Sequence, residues 1–219
     1  MAGADRPVGE GTERRRPEEG TGVGEAARRP GIDGARLLER GATVWFTGLP
    51  AAGKTTTARA VAREVLRRGI AARHLDGDDL RTGLNSDLGF GHAARAENVR
   101  RVGEVARLFA ASGMLAVVSL ISPFAASRDQ VRARHGDAGL ELVEVWVSTP
   151  LGVCEERDPK GLYARARRGD LHGLTGVDDP YEPPPAADVV VPAHELDPHA
   201  ACAVVVEELV RRRIIPPSC

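Results

Sequence analysis

Lysine is almost absent from this chain of 219 residues, in which only Lys54 and Lys160 occur among 30 lysines and arginines. Arginine occupies every other such position, as GC-rich codon usage would produce. A compact ammonium group and a planar guanidinium group are not interchangeable where space is limited. We therefore expect the two lysines where an ammonium group is needed, and Lys54 is the first candidate for a functional residue.

The chain also has few cysteines, a net charge close to zero and no long apolar run. The three cysteines, Cys154, Cys202 and Cys219, are far apart and odd in number, which excludes a disulfide framework and favours a reducing, cytoplasmic location. The net charge of −1 provides no basic field for nucleic acid or for a membrane surface. No apolar run approaches the ~20 residues of a spanning helix, and the charged N-terminus lacks the apolar region of a secretory signal. We expect a cytoplasmic protein with neither a nucleic-acid nor a membrane partner.

Large apolar side chains are nearly missing from residues 1–30, which are rich in glycine, glutamate, arginine and proline. Such a segment cannot bury a core, so we predict a disordered, solvated tail. The remaining residues 31–219 have the length of one domain with a substantial core.

One stretch combines a strand pattern, a glycine-rich turn and a helix pattern. The apolar run 44–46 is followed by Gly48, and Gly53, Lys54 and Thr55 complete the spacing G-x-x-x-x-G-K-T of a phosphate-binding loop. The glycines let backbone N–H groups approach phosphate oxygens, Lys54 can reach the β- and γ-phosphates, and the Thr55 hydroxyl can ligate Mg²⁺. The predicted ATP-binding residues are Gly48, Leu49, Pro50, Ala51, Ala52, Gly53, Lys54, Thr55 and Thr56.

Strand and helix patterns alternate along the chain. The predicted strands cover 44–46, 70–75, 114–121, 141–147 and 189–191, and the predicted helices cover 34–40, 54–68, 95–112, 124–135, 150–157 and 198–213. This alternation favours a three-layer α/β fold of the P-loop NTPase or kinase type, in which a mostly parallel sheet carries helices on both faces. Ligands of such sheets bind beyond the carboxyl ends of the strands.

Two carboxylates follow the second predicted strand directly. Asp76 and Asp78 would lie at the same sheet edge as the phosphate loop, where a carboxylate can accept a proton from a substrate hydroxyl or hold Mg²⁺ through water. Arg81 follows one turn later. The alternative is a structural turn in which Asp78 caps a helix.

The glycine-rich stretch 85–101 combines an aromatic residue with polar ones. Phe90 could stack on a base, and Arg95 and Asn98 share a helix face from which they could bind an anion and a hydroxyl. The alternative is a solvated helix start with Phe90 buried in the core.

Two further segments have a structural and a functional interpretation. Ser122 and Pro123 could begin a helix as its cap and first residue, or the Ser122 hydroxyl could face the active edge of the sheet. Residues 158–182 could form a mobile basic lid that excludes water and brings Lys160, Arg165 and Arg168 to the transferred group, or an ordinary solvated helix.

These motifs together resemble the adenylyl-sulfate kinases (APS kinases) over roughly residues 42–192. Beyond the phosphate loop, the matching segments are Leu-Asp-Gly-Asp-Asp-Leu-Arg-Thr-Gly-Leu-Asn (75–85), Asp-Leu-Gly-Phe (87–90), residues 95–109, Ser-Leu-Ile-Ser-Pro-Phe (119–124), residues 153–163 and Leu-Thr-Gly-Val-Asp-Asp-Pro-Tyr-Glu (174–182). The resemblance implies transfer of the γ-phosphoryl group of ATP to the 3′-hydroxyl of adenosine 5′-phosphosulfate, with Mg²⁺. It also implies a homodimer and suggests an ATP sulfurylase partner.

The resemblance assigns roles to single positions. The catalytic residues it implies are Lys54, Asp76, Asp78 and Ser122, and the Mg²⁺ ligands are Thr55 and Asp78. The substrate-binding residues it implies are Asp76, Gly77, Asp78, Arg81, Phe90, Arg95, Asn98, Ile121, Ser122, Lys160 and Leu174.

The chain departs from the family pattern at several of these segments. Asp79 replaces a usual Asn, Ala125 a usual Arg, and residues 50–52 the usual small residues of the loop. Leu174 replaces a Phe that would complete a sandwich around the substrate adenine. A one-sided stack should weaken substrate binding by about 1–2 kcal/mol.

Three alternatives are weighed against this interpretation. Another small P-loop kinase, acting on a sugar, nucleoside or antibiotic hydroxyl, would leave Phe90, Arg95 and Asn98 without a shared purpose. A GTPase switch is excluded because the chain has no Asn-Lys-x-Asp motif. A binding module that has lost catalysis is disfavoured by the intact Lys54 and Asp76.

Overall fold

The fold is built on a five-stranded sheet in the order β2-β3-β1-β4-β5. The computed structural model describes residues 34–217, so the predicted tail lies outside the described residues. The strands are β1 (Ala42–Thr47), β2 (Ala72–Asp76), β3 (Leu115–Ser119), β4 (Glu141–Val147) and β5 (Val189–Val191). Every pairing between them is parallel, which confirms the predicted α/β class.

Helices cover both faces of this sheet. They are α1 (Lys54–Arg67), α2 (Gly77–Arg81), α3 (His92–Ala111), α4 (Ala125–Asp137), α5 (Leu151–Arg157), α6 (Leu162–Arg167) and α7 (Pro198–Arg211). Side chains alternate across β1: Val44 and Phe46 are buried in the core that contains α1 and α7, whereas Trp45 is buried in the core that contains α3 and α4. The prediction of three layers is therefore confirmed. Among the described residues, no helix is both long and apolar enough to span a bilayer.

One predicted helix is absent, and one of the two interpretations of Ser122 and Pro123 is wrong. Residues 34–40 form no helix, because the Arg36 backbone pairs with the segment before β2, donating to Gly69 O at 2.8 Å and accepting from Ala71 N at 2.9 Å. Ser122 and Pro123 do not begin a helix either, since α4 starts at Ala125 with Phe124 as its cap residue.

Two short helices, α2 and α6, had no periodic pattern in the sequence. Asp76 caps α2, because its Oδ1 accepts a hydrogen bond from the Asp78 N–H at 2.9 Å. The alternative that placed the cap at Asp78 is therefore wrong by two residues. Helix α6 lies within the predicted lid segment, where Gly161 enters it in a left-handed conformation (φ +64°).

Candidate active site

The candidate site lies at the carboxyl ends of three adjacent strands. The phosphate loop, residues 48–53, follows β1, Asp76 ends β2, and the segment 120–124 follows β3. Because β1 and β2 both pair with β3 in parallel, these ends meet at one edge of the sheet, where ligands of α/β proteins bind.

Two positions of the phosphate loop require glycine. At Gly48 the backbone lies too close to a neighbouring strand for a side chain, and at Gly53 the backbone has a positive φ. A Cβ at Gly48 would lie 2.7 Å from Val147 O, and Gly53 adopts φ +107°, a region that disfavours side chains. Gly53 leads directly into α1, whose positive N-terminal end lies at the loop. The loop is therefore shaped to present N–H groups to an anion, as its sequence predicts.

Lys54 folds back over this loop. Its Nζ donates hydrogen bonds to Gly48 O at 2.9 Å and to Leu49 O at 2.6 Å. Burial lowers the pKa of Lys54 to about 8, although the charges of Cys154, Asp78 and Asp76 oppose that shift. The ammonium group is held at the loop by carbonyl oxygens that phosphate oxygens can replace.

Asp76 is the most strongly bound carboxylate of the site, and only 6% of it is exposed. Its Oδ2 accepts hydrogen bonds from Thr55 Oγ1 at 2.9 Å and from Ser119 Oγ at 3.1 Å, in addition to the cap bond at Oδ1. Burial raises the pKa of Asp76, but the hydrogen bonds from the Asp78 N–H, Thr55 and Ser119 outweigh it and hold the pKa below its ordinary value. Asp76 is therefore ionised at neutral pH.

His74 and Ser119 were not predicted from the sequence. His74 Nε2 lies 2.9 Å from Ser119 Oγ and 3.9 Å from Asp76 Oδ2. His74 and Asp76 are two residues apart on β2 and so share a face, and Ser119 is the register partner of Asp76. The two-residue spacing between His74 and Asp76 could have indicated from the sequence that they share a face. The pairing of Asp76 with Ser119 could not, because it depends on the register between β2 and β3.

Asp78 and Lys160 meet in front of the site. Asp78 is exposed on α2, and the Lys160 ammonium group, whose side chain is 56% exposed, donates a hydrogen bond to its Oδ2. Gly77 between the two aspartates packs tightly, since a Cβ there would lie 2.5 Å from Leu120 Cδ1. The predicted lid therefore contacts Asp78 through one of the two lysines.

Phe90 is exposed to 62% and lies among cations, which rules out the alternative that buries it. The guanidinium carbon of Arg81 lies 4.4 Å from the ring centroid, and that of Arg95 lies 6.0 Å from it. Arg81 is fixed by hydrogen bonds from Nη1 to Leu88 O and Gly89 O, at 3.1 and 3.2 Å. The result is an exposed aromatic surface with positive charge at its side.

Arg95 and Asn98 are buried and already bonded to protein groups. Arg95 donates to Phe90 O at 2.7 Å and pairs with Asp179 at 3.2 Å. Asn98 Oδ1 accepts from the Asn85 amide at 2.9 Å. In this conformation both residues stabilise the loop that carries Phe90. That they bind substrate stays a prediction.

Ile121 and Ser122 lie at the strand end as expected, but the Ser122 hydroxyl faces the interior. Only 1% of Ser122 is exposed, and its Oγ accepts a hydrogen bond from the Trp45 indole N–H at 3.1 Å. The carbonyl of Ile121 accepts from Thr47 Oγ1 at 2.8 Å. The structure therefore does not bring the Ser122 hydroxyl together with Asp76 and Lys54.

The predicted lid segment packs on the phosphate loop. Tyr163 in α6 donates a hydrogen bond to Pro50 O at 3.0 Å, and a Cβ at Gly176 would lie 2.7 Å from Leu49 Cδ2. Leu174 is 6% exposed within the larger core. In this conformation Leu174 offers almost no surface to a base, and its place among the substrate-binding residues stays a prediction.

Arg128 of α4 anchors the C-terminal end of the lid segment. Its Nη1 donates to Ser122 O at 2.7 Å, its Nη2 to Glu182 O at 2.8 Å, and its Nε to Glu144 Oε1 at 2.8 Å. Tyr181 beside it exchanges a 3.1 Å hydrogen bond with Thr47. The lid therefore ends at a buried junction with β1, β4 and the segment after β3.

Known proteins of one family are similar to this chain. The model of the adenylylsulphate kinase family matches residues 40–192. An adenylyl-sulfate kinase from Shewanella amazonensis is 49% identical over 182 residues, which cover 83% of this chain and 91% of that relative.

A sequence relative and a solved structure from Mycobacterium tuberculosis are similar as well. A bifunctional enzyme CysN/CysC is 51% identical over 162 residues, covering 74% of this chain and 26% of that larger protein. The solved structure of the APS kinase CysC in complex with AMPPNP and APS has a TM-score of 0.75 at 48% identity and covers 78% of this chain and 98% of its own.

Proposed function

The chain belongs to the adenylylsulphate kinase family, and we propose that it transfers the γ-phosphoryl group of ATP to the 3′-hydroxyl of adenosine 5′-phosphosulfate. The family match and the relatives of the same activity support the reaction, and the complex of a relative with AMPPNP and APS supports the two substrates. The products are ADP and 3′-phosphoadenosine 5′-phosphosulfate.

The residues of the site can be given roles in this reaction. The 3′-oxygen of the acceptor forms a bond to the γ-phosphorus while the bond from that phosphorus to the β–γ bridging oxygen breaks. The proton of the hydroxyl passes to the Asp76 carboxylate, which is ionised and held by three donors. Lys54 exchanges its two carbonyl partners for phosphate oxygens and stabilises the charge that develops on them.

The oxygen ligands of the site suit Mg²⁺. Thr55 can bind the ion through an oxygen lone pair while its hydroxyl still donates its hydrogen bond to Asp76, and Asp78 offers an exposed carboxylate. No group of three or more His, Cys, Asp or Glu residues suited to a metal occurs in the part of the chain that the structure describes. Mg²⁺ is commonly held by few protein groups together with substrate phosphates and water, and when bound it neutralises phosphate charge.

The observation that carries the acceptor assignment is the exposed Phe90 ring beside Arg81. A purine base can stack on an exposed aromatic ring, which contributes about 1–3 kcal/mol, and the adjacent guanidinium group can bind an anionic substituent. A sugar acceptor has no base to use this surface. The geometry therefore favours a nucleotide over the sugars considered above.

The first experiment measures ADP release with ATP, Mg²⁺ and adenosine 5′-phosphosulfate, beside adenosine monophosphate and a panel of sugars. We expect turnover with the phosphosulfate alone. Turnover only with another acceptor would contradict the substrate assignment and leave the kinase assignment intact.

A variant of Phe90 tests the acceptor surface directly. Phe90→Ala should raise KM for adenosine 5′-phosphosulfate about 10-fold or more, because one base stack is lost, and should leave KM for ATP nearly unchanged. The matched control is Leu108→Ala, which removes an equally exposed apolar side chain (61%) from α3. Equal effects of the two variants would contradict the assignment.

Assembly and location are further proposals. The fusion in the Mycobacterium tuberculosis relative supports a functional link to a second enzyme, and we propose an ATP sulfurylase as partner, a homodimer as the assembly and the cytoplasm as the location. Sedimentation of the purified chain, alone and with the sulfurylase, tests the first two.

A further inference from the structure

The environment of Asp76 holds two groups to which the reaction above gives no role. Ser119 on β3 and His74 on β2 lie behind the carboxylate, with Ser119 Oγ 3.1 Å from Asp76 Oδ2 and 2.9 Å from His74 Nε2. Ser119 is buried, and the His74 side chain is largely buried. Neither group belongs to the phosphate loop or to the acceptor surface.

Proton counting fixes the direction of these hydrogen bonds. An ionised carboxylate can only accept, and a serine hydroxyl has a single proton to donate. The Ser119 proton therefore points to Asp76, so Ser119 Oγ must accept from His74. That arrangement requires the proton of the imidazole on Nε2.

Burial lowers the pKa of His74, so the ring is neutral at pH 7 and carries one proton. A neutral imidazole with that proton on Nε2 completes the chain without placing a second charge beside Asp76. The hydrogen-bond geometry does not depend on the titration of this ring.

We propose that His74 and Ser119 are positioning residues, which hold the Asp76 carboxylate toward the acceptor hydroxyl through hydrogen bonds from His74 Nε2–H to Ser119 Oγ and from Ser119 Oγ–H to Asp76 Oδ2. This inference rests on the proposed function, in which Asp76 accepts the proton. Thr55, the other donor to Oδ2, belongs to the helix start that must also serve the nucleotide and Mg²⁺. Ser119 and His74 lie on strands, so their hydrogen bonds toward Asp76 do not depend on whether the phosphate loop holds a nucleotide.

Kinetic variants test this chain. Ser119→Ala and His74→Leu should each lower kcat about 10-fold, the low end of the 10–100-fold effects of residues that orient functional ligands. KM for both substrates should stay within about 2-fold, because Lys54 and Phe90 are untouched. His74→Gln should restore most of kcat, since its amide can donate from a similar position. The double variant should be no worse than Ser119→Ala alone, because His74 acts through Ser119.

A second buried histidine provides the matched control. His135 Nε2 lies 2.9 Å from the hydroxyl of Thr43, near the start of β1 and away from the site. His135→Leu should lower the melting temperature and leave kcat unchanged. If His74→Leu behaves in the same way, or if the two site variants add independently, the proposal is wrong.

Nitrogen-15 NMR of the histidine rings tests the chain without a substitution. A proton on Nε2 of His74 in the wild-type protein is expected, whereas a proton on Nδ1 would reverse the hydrogen bond and overturn the proposal. This readout needs no turnover, so it remains informative if adenosine 5′-phosphosulfate proves not to be the acceptor.

Discussion

At the scale of single residues, the site depends on donors and acceptors that are already paired before substrate arrives. Lys54 is bonded to two loop carbonyls, and Asp76 is held by three donors. Such groups lose little freedom when a ligand replaces one partner by another, which is the advantage of a preorganised site. Lys54 and Asp76 must therefore suit their hydrogen-bond partners in the free protein as well as the reaction.

Replacement of Lys54 by arginine tests this constraint in a chain that otherwise prefers arginine. Lys54→Arg keeps the charge, but the larger planar group cannot occupy the same space between Gly48 O and Leu49 O. We expect kcat to fall about 100-fold or more, as for the loss of a preorganised donor.

Lys160→Arg offers an instructive comparison. Because Lys160 is exposed and reaches Asp78 from the surface, a guanidinium group can make the same ion pair, and most of the activity should remain. For Lys160 the structure therefore argues against the expectation, drawn from composition, that both lysines lie where only an ammonium group serves. Steady-state kinetics of the two variants separates the need for an ammonium group from the need for positive charge. Equal losses would contradict this distinction.

The sequence identified residue types at the site better than it identified their orientations. The spacing around Gly48, Lys54 and Thr55 implies a local geometry, and that geometry is present. The inward orientation of Ser122 depends on Trp45, 77 residues away in the chain, and no local pattern records such a partner. The burial of Leu174 likewise depends on the packing of the lid segment.

At the scale of secondary-structure elements, long periodic segments were predictable, whereas two short helices were not. Strand β4 and helix α1 occur within a residue of their predicted bounds, because their buried faces repeat over several turns or pleats. Helices α2 and α6 span five and six residues, too few for periodicity to appear. The segment 34–40 looked helical, but its backbone pairs with Gly69 and Ala71 instead.

Arg128 is the residue on which the junction of three elements most depends. Its removal leaves the buried Glu144 carboxylate with only the longer, 3.5 Å ion pair to Arg132 and frees the carbonyls of Ser122 and Glu182. Arg128→Ala should therefore lower the free energy of unfolding by about 3–5 kcal/mol, measured by urea denaturation.

The control for Arg128 is an exposed ion pair on the same helix. Arg134→Ala removes one of the two arginines that pair with Glu104 at the surface and should cost less than about 1 kcal/mol. A similar cost for both variants would show that the junction is not a buried network.

At the scale of the whole molecule, one charge pattern recurs on the surface. Among the described residues, the sequence Glu-x-x-Arg-Arg occurs at 64–68 in and just after α1, at 97–101 in α3 and at 208–212 in and just after α7. In each case the glutamate binds both arginines. These pairs link successive turns of a helix.

Acid stability should depend on this pattern. In each motif the glutamate has a pKa of about 2, lowered from 4.5. The largest cause is the hydrogen bond from the arginine three residues later, and the glutamates are Glu64, Glu97 and Glu208. A lowered folded-state pKa contributes stability above the unfolded value of 4.5, and that contribution is lost as the pH falls toward 2. The triple Glu→Gln variant should therefore lose less thermal stability between pH 6 and pH 3 than the wild type.

The control for the acid experiment is Glu207→Gln, which removes an exposed carboxylate from α7 next to Glu208. Its thermal stability should follow the wild-type pH dependence. If the triple variant follows it too, the arginine pairs do not determine acid stability.

The central position of β1 also has a consequence for the synthesis of the protein. This strand is made first, yet its partners β3 and β4 are encoded about 70 and 100 residues later. At a ribosomal rate of about 5–20 residues per second, its apolar side chains wait roughly four to fourteen seconds for the first partner. The phosphate loop follows directly after β1 and approaches Val147 closely. A nascent chain therefore cannot complete its nucleotide site until more than half of its length has left the ribosome.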